Sequence, residues 1–393
     1  MRLADFRRLL PLALLSASMW CGAAPHIPAD GSQVVERLPS RADPVQRELL
    51  RLRGELSRQP GDLGLATTLA RRYIEQARIE GDPRYLGYAE AALAPWWKEN
   101  QPPEQVLVLR ATLRQSTHQF GAALADLDLA VKRDSDNVQA WLTRATVQMV
   151  TGDLAAARGS CMRLYSRAPA LVVQTCLSSV GSIAGDGAVS YRRLLELQAR
   201  RPPDTPDIGI WVQTLLAEMA ARAGDDAAAE GHFRKALGFK APDSYLLGAW
   251  ADFLLNHGRA EEVARLLKDK TRVDALLLRY ALALAAMKSP EAAAQTAALG
   301  ARFDAAQLRG DTVHRREQAR FELALRADAA AAVRLAKANW AVQKEPADLR
   351  ILADCALASG DPDAARLVRD WLRSSRIEDR RIAATAARLR VPA

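Results

Sequence analysis

The chain has 393 residues, of which 49% are hydrophobic and 26% charged, and it carries a formal net charge of +9. This composition lies in the ordinary globular range and excludes a disordered or fibrous chain, because it allows a large core to be buried. At about 150 residues per domain the length predicts two or three compact domains, unless the fold is a repeat array, to which that limit does not apply.

The first 24 residues have the pattern of a secretory signal peptide. Three arginines precede the short apolar run 9–15, and small residues follow at 22–24. This order predicts cleavage after Ala24. The run is well short of the roughly 18 residues that span a bilayer, and the alternative interpretation is an N-terminal core helix. We therefore expect an exported protein, periplasmic or extracellular, soluble or peripherally attached to the envelope, with no transmembrane segment in the mature chain.

The rest of the chain divides by composition and periodicity. The predicted segments are a Pro-rich tail at 25–43, an N-terminal helix at 44–62, repeats at 63–270, a degenerate helical repeat at 271–312, further repeats at 313–375 and a basic capping helix at 376–393. Segment 271–312 keeps helical periodicity but loses the repeat motif, so an insertion is the alternative there.

The repeats have a period of 34 residues. Units begin at Leu63, Glu104, Val138, Leu171, Ile210, Ser244 and Pro346. Position 15 carries the turn glycines Gly152, Gly185, Gly224, Gly258 and Gly360. A glycine there takes the left-handed conformation that ends a first helix, and the Asp that often follows caps a second helix. Small residues at positions 8 and 20, such as Ala145 and Ala157, allow the two helices to approach closely.

This pattern resembles the tetratricopeptide repeat family over most of residues 63–375. One helix pair cannot bury its apolar face alone, so pairs stack on one another. The resemblance implies an all-α fold, a right-handed α-solenoid of stacked antiparallel helix pairs that ends in a C-terminal capping helix.

Enzymatic and metal-binding signatures are missing from the sequence. The five histidines form no HExxH pair and no metal-ligand spacing with Cys, Asp or Glu, and neither GxSxG nor GxxxxGK[ST] occurs. We expect no catalytic residue, no metal ligand and no cofactor, and a surface position for His118, His232 and His257. The remaining alternative is an enzyme whose site the motifs do not reveal.

The positions of two cysteines favour a structural disulfide bond. Cys161 lies on the second helix of one unit and Cys176 on the first helix of the next, equidistant from the turn at Ala168–Pro169. Residues placed in this way on an antiparallel hairpin come within disulfide reach, and an oxidising compartment favours the bond. The alternatives are two buried thiols or a metal-binding or redox-active pair. Cys355 is predicted to be a buried free thiol.

The resemblance also implies a concave surface lined by positions 2, 5, 9, 12 and 13 of the first helices. The candidate partner-binding residues are Gln115, Gln139, Leu142, Thr146, Met149, Glu218, Arg222, Asp252, Asn256, Arg350 and Asp354. They lack the Lys/Asn set by which some members of the family clamp a C-terminal carboxylate, so that ligand is not expected. The alternative is that many of these side chains are merely solvated.

The basic charge is concentrated at the C-terminus. Removing residues 1–24, which carry three arginines and one aspartate, leaves a net charge of +7, and residues 366–393 contain eight arginines against three acidic residues. A solvated basic face is the ordinary interpretation, and nucleic acid is not expected as a partner of an exported protein. We expect an exported scaffold or adaptor that binds a protein or peptide. The alternative is a cell-envelope or polysaccharide assembly factor whose basic C-terminus contacts an anionic polymer or lipid.

Overall fold

The computed structural model describes residue 30, residues 43–239 and residues 242–390. The predicted signal peptide and most of the predicted Pro-rich tail lie outside these residues. The chain divides into two compact units, 1–48 and 49–393. Of the first unit the structure describes residue 30, residue 43 and the beginning of one helix, and the second unit contains everything that follows.

Every regular element in the described ranges is a helix. The 21 helices there are α1 Pro44–Arg58, α2 Leu63–Glu80, α3 Arg84–Ala92, α4 Ala94–Trp97, α5 Glu104–Ser116, α6 Phe120–Arg133, α7 Val138–Thr151, α8 Leu154–Met162, α9 Ala170–Gly181, α10 Gly187–Arg200, α11 Pro206–Ala223, α12 Asp226–Leu237, α13 Ser244–Asn256, α14 Ala260–Leu267, α15 Asp274–Ala286, α16 Ala292–Leu308, α17 Arg315–Ala324, α18 Ala329–Trp340, α19 Pro346–Ser359, α20 Pro362–Ser375 and α21 Arg380–Ala386.

Within 49–393 the helices contact one another as successive pairs. Pairs 1 to 9 are α2–α3, α5–α6, α7–α8, α9–α10, α11–α12, α13–α14, α15–α16, α17–α18 and α19–α20, and first helices of neighbouring pairs also touch. The predicted all-α solenoid of stacked helix pairs is confirmed. Small residues explain the close approach within a pair, since the side chains of Ala145 and Ala157 are completely buried.

The turn glycines do what the repeat requires. Gly152 has φ of +89°, and all five predicted turn glycines have φ between +69° and +89°. The aspartate after the glycine caps the second helix at Asp153, Asp225 and Asp361, where its side chain accepts a hydrogen bond from a backbone N–H of the first turn. Asp186 differs, because its carboxylate pairs with Arg158 at 2.7 Å and makes no capping bond.

The segment without the motif, 271–312, is also a helix pair, α15–α16. Its turn contains Lys288 at φ +53° in place of a glycine, so the motif is lost while the backbone conformation is kept. Apolar side chains of this pair, including Leu277 and Phe303, lie in the same buried cluster as those of pair 6. The segment therefore continues the stack.

The last helix, α21, covers the apolar end of pair 9. Ile382 is fully buried there, together with Ile377 and Leu389 on either side of the helix. The capping helix is shorter than the predicted basic segment 376–393, because Asp379 caps it at its N-terminus and turns follow Ala386.

Distant pairs also meet along an edge that we call the seam. The seam consists of the contacts that the turn ends of pairs 1 to 6 make with residues at least 120 positions later. At its beginning, a Cβ placed on Gly81 would lie 2.7 Å from Val273, and Arg78 lies 3.4 Å from Asp207. Farther along, the turns of pairs 2 to 6 contact residues between 343 and 381. Two coils of the solenoid therefore touch.

Candidate interaction surface

The predicted partner-binding residues form what we call the first-helix surface. They lie on α5, α7, α11, α13 and α19, and each of the eleven is half-buried or exposed. On α7 they alternate with core residues, because Ala140, Thr143 and Val147 are buried between them. The residues are therefore accessible side chains on helices whose other faces are packed, which is what a preformed binding surface requires.

The part of the first-helix surface on pairs 2 and 3 is uncharged. Gln139 donates a hydrogen bond to Thr143 Oγ1 at 3.1 Å, and Thr146 donates to the carbonyl of Leu142 at 3.0 Å. Leu142 and Met149 pack partly against the buried cluster around Cys161, and Gln115 is half-buried on α5. This part offers amide, hydroxyl and apolar groups with no ionic preference.

Charged groups begin at pair 5. The Tyr245 phenol donates a 2.6 Å hydrogen bond to Glu218, although 60% of Tyr245 is exposed. Burial raises the pKa of Glu218 against the opposing charge of Arg222. The Glu218 carboxylate in turn raises the pKa of Tyr245 well above its usual value. Arg222 also donates to Ser182 of pair 4 at 3.0 Å, so these side chains are held in fixed positions.

Asp252 connects three successive pairs. It accepts hydrogen bonds from Arg279 at 2.5 Å and from Arg320 at 2.6 Å. Burial alone would raise the pKa of Asp252, but the two guanidinium groups more than offset it and lower the pKa to about 2. The carboxylate is therefore ionised at neutral pH and its charge is neutralised inside the protein.

A second ionic cluster surrounds Arg316, which lies 3.2 Å from Glu317, 3.0 Å from Glu345 and 3.4 Å from Asp348. Burial opposes the charge of Arg316, and the three carboxylates outweigh it and raise the pKa of Arg316. Asp348 is 1% exposed and accepts a 2.8 Å hydrogen bond from Asn339. Burial raises the pKa of Asp348, and Arg316 lowers it in part.

The far end of the first-helix surface is in contact with the chain's own C-terminus. Arg350 donates to Asp354 at 3.1 Å, and Thr385 of α21 donates to the other Asp354 oxygen at 3.2 Å. Arg381 donates to the backbone carbonyl of Asn256 at 3.4 Å. Three predicted binding residues are therefore engaged by, or adjacent to, α21.

Several C-terminal arginines have partners within the chain. Arg366 and Arg373 pair with acidic residues three positions earlier in α20. Arg369 donates to the Leu389 carbonyl, and Arg381 contacts the turn of pair 6. In the described part of the chain these contacts favour a structural role for the arginines, and none favours an anionic polymer.

Sequence reasoning missed most of the charged surface. Tyr245 was omitted although it is position 2 of its unit, one of the first-helix positions expected to line the concave surface. Arg279 lies in the pair that lost the motif, and Arg316 and Arg320 lie in pair 8, for which no unit start was assigned. Without a register these arginines had no predicted position.

The surface position expected for His232 is wrong. His232 is 6% exposed, and its ring nitrogens lie 2.8 Å from Gln213 and 2.9 Å from the Tyr191 phenol. It directly precedes Phe233, a core residue, and packing of α10 and α11 against α12 covers it. Burial lowers the pKa of His232.

His118 lies at the turn of pair 2, inside the seam. Its ring stacks on Phe120 with centroids 5.3 Å apart, and the Gln343 amide nitrogen lies 3.0 Å from Nε2. Burial, assisted by Arg316, lowers the pKa of His118 to about 4. The other charged or titratable groups that act on this ring are Glu317, His314 and Asp311.

A disulfide joins Cys161 and Cys176, whose Cα atoms are 5.6 Å apart. Both residues are almost completely buried between pairs 3 and 4. Cys355 is free and buried on α19, and burial raises the pKa of its thiol to about 12. The disulfide therefore fastens neighbouring units, and burial shields the Cys355 thiol from reagents.

Two negative findings apply to the residues that the structure describes. Among them, no three His, Cys, Asp or Glu side chains gather as potential metal ligands. Over the same ranges, no helix has both the length and the apolar character needed to cross a bilayer.

Comparisons with known proteins find structural similarity at low sequence identity. Neither a protein-family model nor a curated protein matches the chain. A tetratricopeptide repeat protein from Parabacteroides merdae shares 15% identity over 61% of this chain and 92% of its own, with a TM-score of 0.46. A chain of the APC/C hetero-tetramer Cut9–Hcn1 shares 13% identity over 84% of this chain and 52% of its own, with a TM-score of 0.41. The P58(IPK) TPR domain shares 14% identity over 87% of this chain and 96% of its own, with a TM-score of 0.23. The fold assignment rests on the chain's own helix pairs and repeat period.

Proposed function

We propose that this tetratricopeptide-type solenoid is an exported, non-catalytic scaffold or adaptor that binds a segment of another protein along its first-helix surface. The observation that carries the proposal is the set of accessible side chains on five of the first helices, α5, α7, α11, α13 and α19, each half-buried or exposed. A long preformed surface of this kind gains affinity from many small contacts and loses little conformational entropy on binding.

The uncharged part on pairs 2 and 3 is the preferred binding region. Its amide and hydroxyl groups suit the backbone of an extended peptide, and Leu142 and Met149 suit apolar side chains. From pair 5 onward the charged groups Glu218 and Asp252 already have partners in the chain. A ligand that binds these groups would have to displace their partners, and the loss of those contacts would weaken its binding.

Export is supported by the sequence pattern of residues 1–24 and by the buried Cys161–Cys176 disulfide, which an oxidising compartment preserves. Fractionation of the source cells with N-terminal sequencing tests this point. A protein found in the cytoplasm with Met1 intact would refute export.

Site-specific photocrosslinking tests the binding surface. A photoreactive residue at exposed Gln139 on α7 is expected to crosslink one protein partner in the native envelope fraction, and a second substitution, Thr146→Arg, is expected to abolish that product. The matched control carries the photoreactive residue at Glu196, exposed on the second helix α10. Equal crosslinking from both positions, or a Gln139 product that survives Thr146→Arg, would rule out the first-helix surface.

A further inference from the structure

The seam divides the turn glycines into two groups. A Cβ at Gly152, Gly185 or Gly224 would lie 2.7, 3.0 and 2.9 Å from atoms of Trp371, Arg376 and Arg380, respectively. A Cβ at Gly258 or Gly360 would meet nothing within 4 Å. All five have the same left-handed backbone. The first three glycines therefore also permit a close approach of the C-terminal segment.

A backbone hydrogen bond between described residues crosses the seam. The Lys344 N–H donates to the Val150 carbonyl at 2.7 Å. Around it, Val342 packs against the buried cluster of pairs 2 and 3, and Ile183 packs against the buried cluster of pairs 8 and 9. The remaining seam contacts combine polar side chains such as Gln343 and Arg381 with the apolar side chains of Val273 and Trp371. Single side chains therefore hold this edge together.

The energetic arrangement of a solenoid makes this seam separable. Stability in stacked repeats is approximately a sum of terms within and between neighbouring units. Parting the coils removes the seam contacts and leaves every pair and every neighbour interface intact, so local opening requires less free energy than unfolding.

We propose that residues 340–390 form a clasp, and that its release opens the seam along the turns of pairs 2 to 6 while every helix pair stays folded. The clasp also contacts the first-helix surface outside itself, because Arg381 donates to the backbone carbonyl of Asn256. Release frees Asn256 and widens access to the surface there. Only this last consequence rests on the proposed function, because opening of the seam is measurable without a partner.

Hydrogen exchange of the Lys344 amide tests the clasp, because the acceptor of this N–H lies across the seam. Uniform ¹⁵N labelling of the perdeuterated full chain makes this amide and the amides of α7 and α11 observable by NMR. The clasp variant carries Arg380→Ala and Arg381→Ala, which remove seam contacts. We expect the Lys344 amide to exchange at least tenfold faster in this variant, with the amides inside α11 unchanged.

The matched control carries Arg366→Ala and Arg373→Ala, which remove the same charge from the same segment but pair only within α20. Its Lys344 exchange is expected to stay within twofold of the unaltered chain. Gln343→Ala is a second, milder seam variant if the double variant loses helix content by circular dichroism.

Two results would overturn the clasp. The first is a Lys344 amide that exchanges in the unaltered chain as slowly as the core amides of α7, because the seam would then open only on global unfolding. The second is acceleration of Lys344 and α11 amides together. Loss of the Gln139 crosslink with normal seam opening would instead contradict the proposed function and leave the clasp standing.

Discussion

Substitution of alanine at two turn glycines separates backbone strain from the seam contact. Gly152 and Gly360 have φ of +89° and +69°, so Gly152→Ala and Gly360→Ala share the cost of a left-handed alanine, about 1 kcal/mol. Only Gly152 faces the second coil, with Trp371 Cη2 at 2.7 Å and Lys344 Cδ at 3.1 Å from the added Cβ.

The extra cost at Gly152 follows from how firmly its neighbour is held. Trp371 is half-buried and packs edge-on against Trp340, with centroids 5.4 Å apart, so its ring cannot simply move away. Overpacking of this kind costs about 1–3 kcal/mol. We expect Gly152→Ala to lose about 2–4 kcal/mol and Gly360→Ala about 1 kcal/mol of the free energy of unfolding.

Urea unfolding followed by circular dichroism measures both variants, and a common slope is required before midpoints are compared. A double-mutant cycle adds a sharper check, because Trp371→Ala removes the clashing ring. In that background Gly152→Ala is expected to cost no more than Gly360→Ala does. Equal losses at the two glycines in the unaltered background would refute the reasoning from the seam.

The further predictions concern the disulfide, His118 and Asp252. Denatured under non-reducing conditions, the chain without residues 1–24 should show one reactive thiol, Cys355, and three would mean that Cys161 and Cys176 are not bonded. Reducing that disulfide should remove about 3 kcal/mol of stability for a 15-residue loop. The pKa of His118 falls from 6.5 to about 4 on folding. The neutral ring therefore contributes fully to the free energy of unfolding above pH 6.5, and the contribution, at most about 3 kcal/mol, is lost as the pH falls towards 4. His118→Asn should reduce the change in urea midpoint between pH 6.5 and pH 4, and an unchanged pH profile would contradict the lowered pKa of His118. Asp252→Asn removes the carboxylate that accepts hydrogen bonds from Arg279 and Arg320 and should lower the free energy of unfolding by about 1–3 kcal/mol. Thermal unfolding measures this loss, and no loss would mean that the pairing is solvated.

The helix pairs were predictable because their determinants are local. A glycine that must adopt positive φ, such as Gly224, and alanines that must fit a helix crossing, such as Ala217 and Ala229, recur at fixed spacing. The same logic fails at 271–312, where Lys288 adopts the left-handed turn without the motif residue. Tertiary packing there supplies what the local sequence does not.

The seam and the ionic clusters were not predictable from the period. A 34-residue repeat defines how neighbours stack but not how two coils meet, so nothing near His118 in the sequence indicates Gln343. The ionic partners of Asp252 lie 27 and 68 residues away, on pairs without a predicted register. His232 was misplaced for a related reason, since its neighbours come from the packing of two other helices.

The seam has a consequence for how the chain folds. Contacts within a stack of helix pairs join residues near in sequence, and such folds form quickly. The seam contacts join residues 166 positions apart at Arg78–Ser244 and 225 apart at His118–Gln343. The first contact can form once pair 6 exists, and those of residues 343–381 form only after the last pairs exist. During synthesis the first coil is complete while its turn edge still faces solvent, and the C-terminal residues arrive last to cover it. A chain shortened at the C-terminus would keep its early helix pairs and expose this edge.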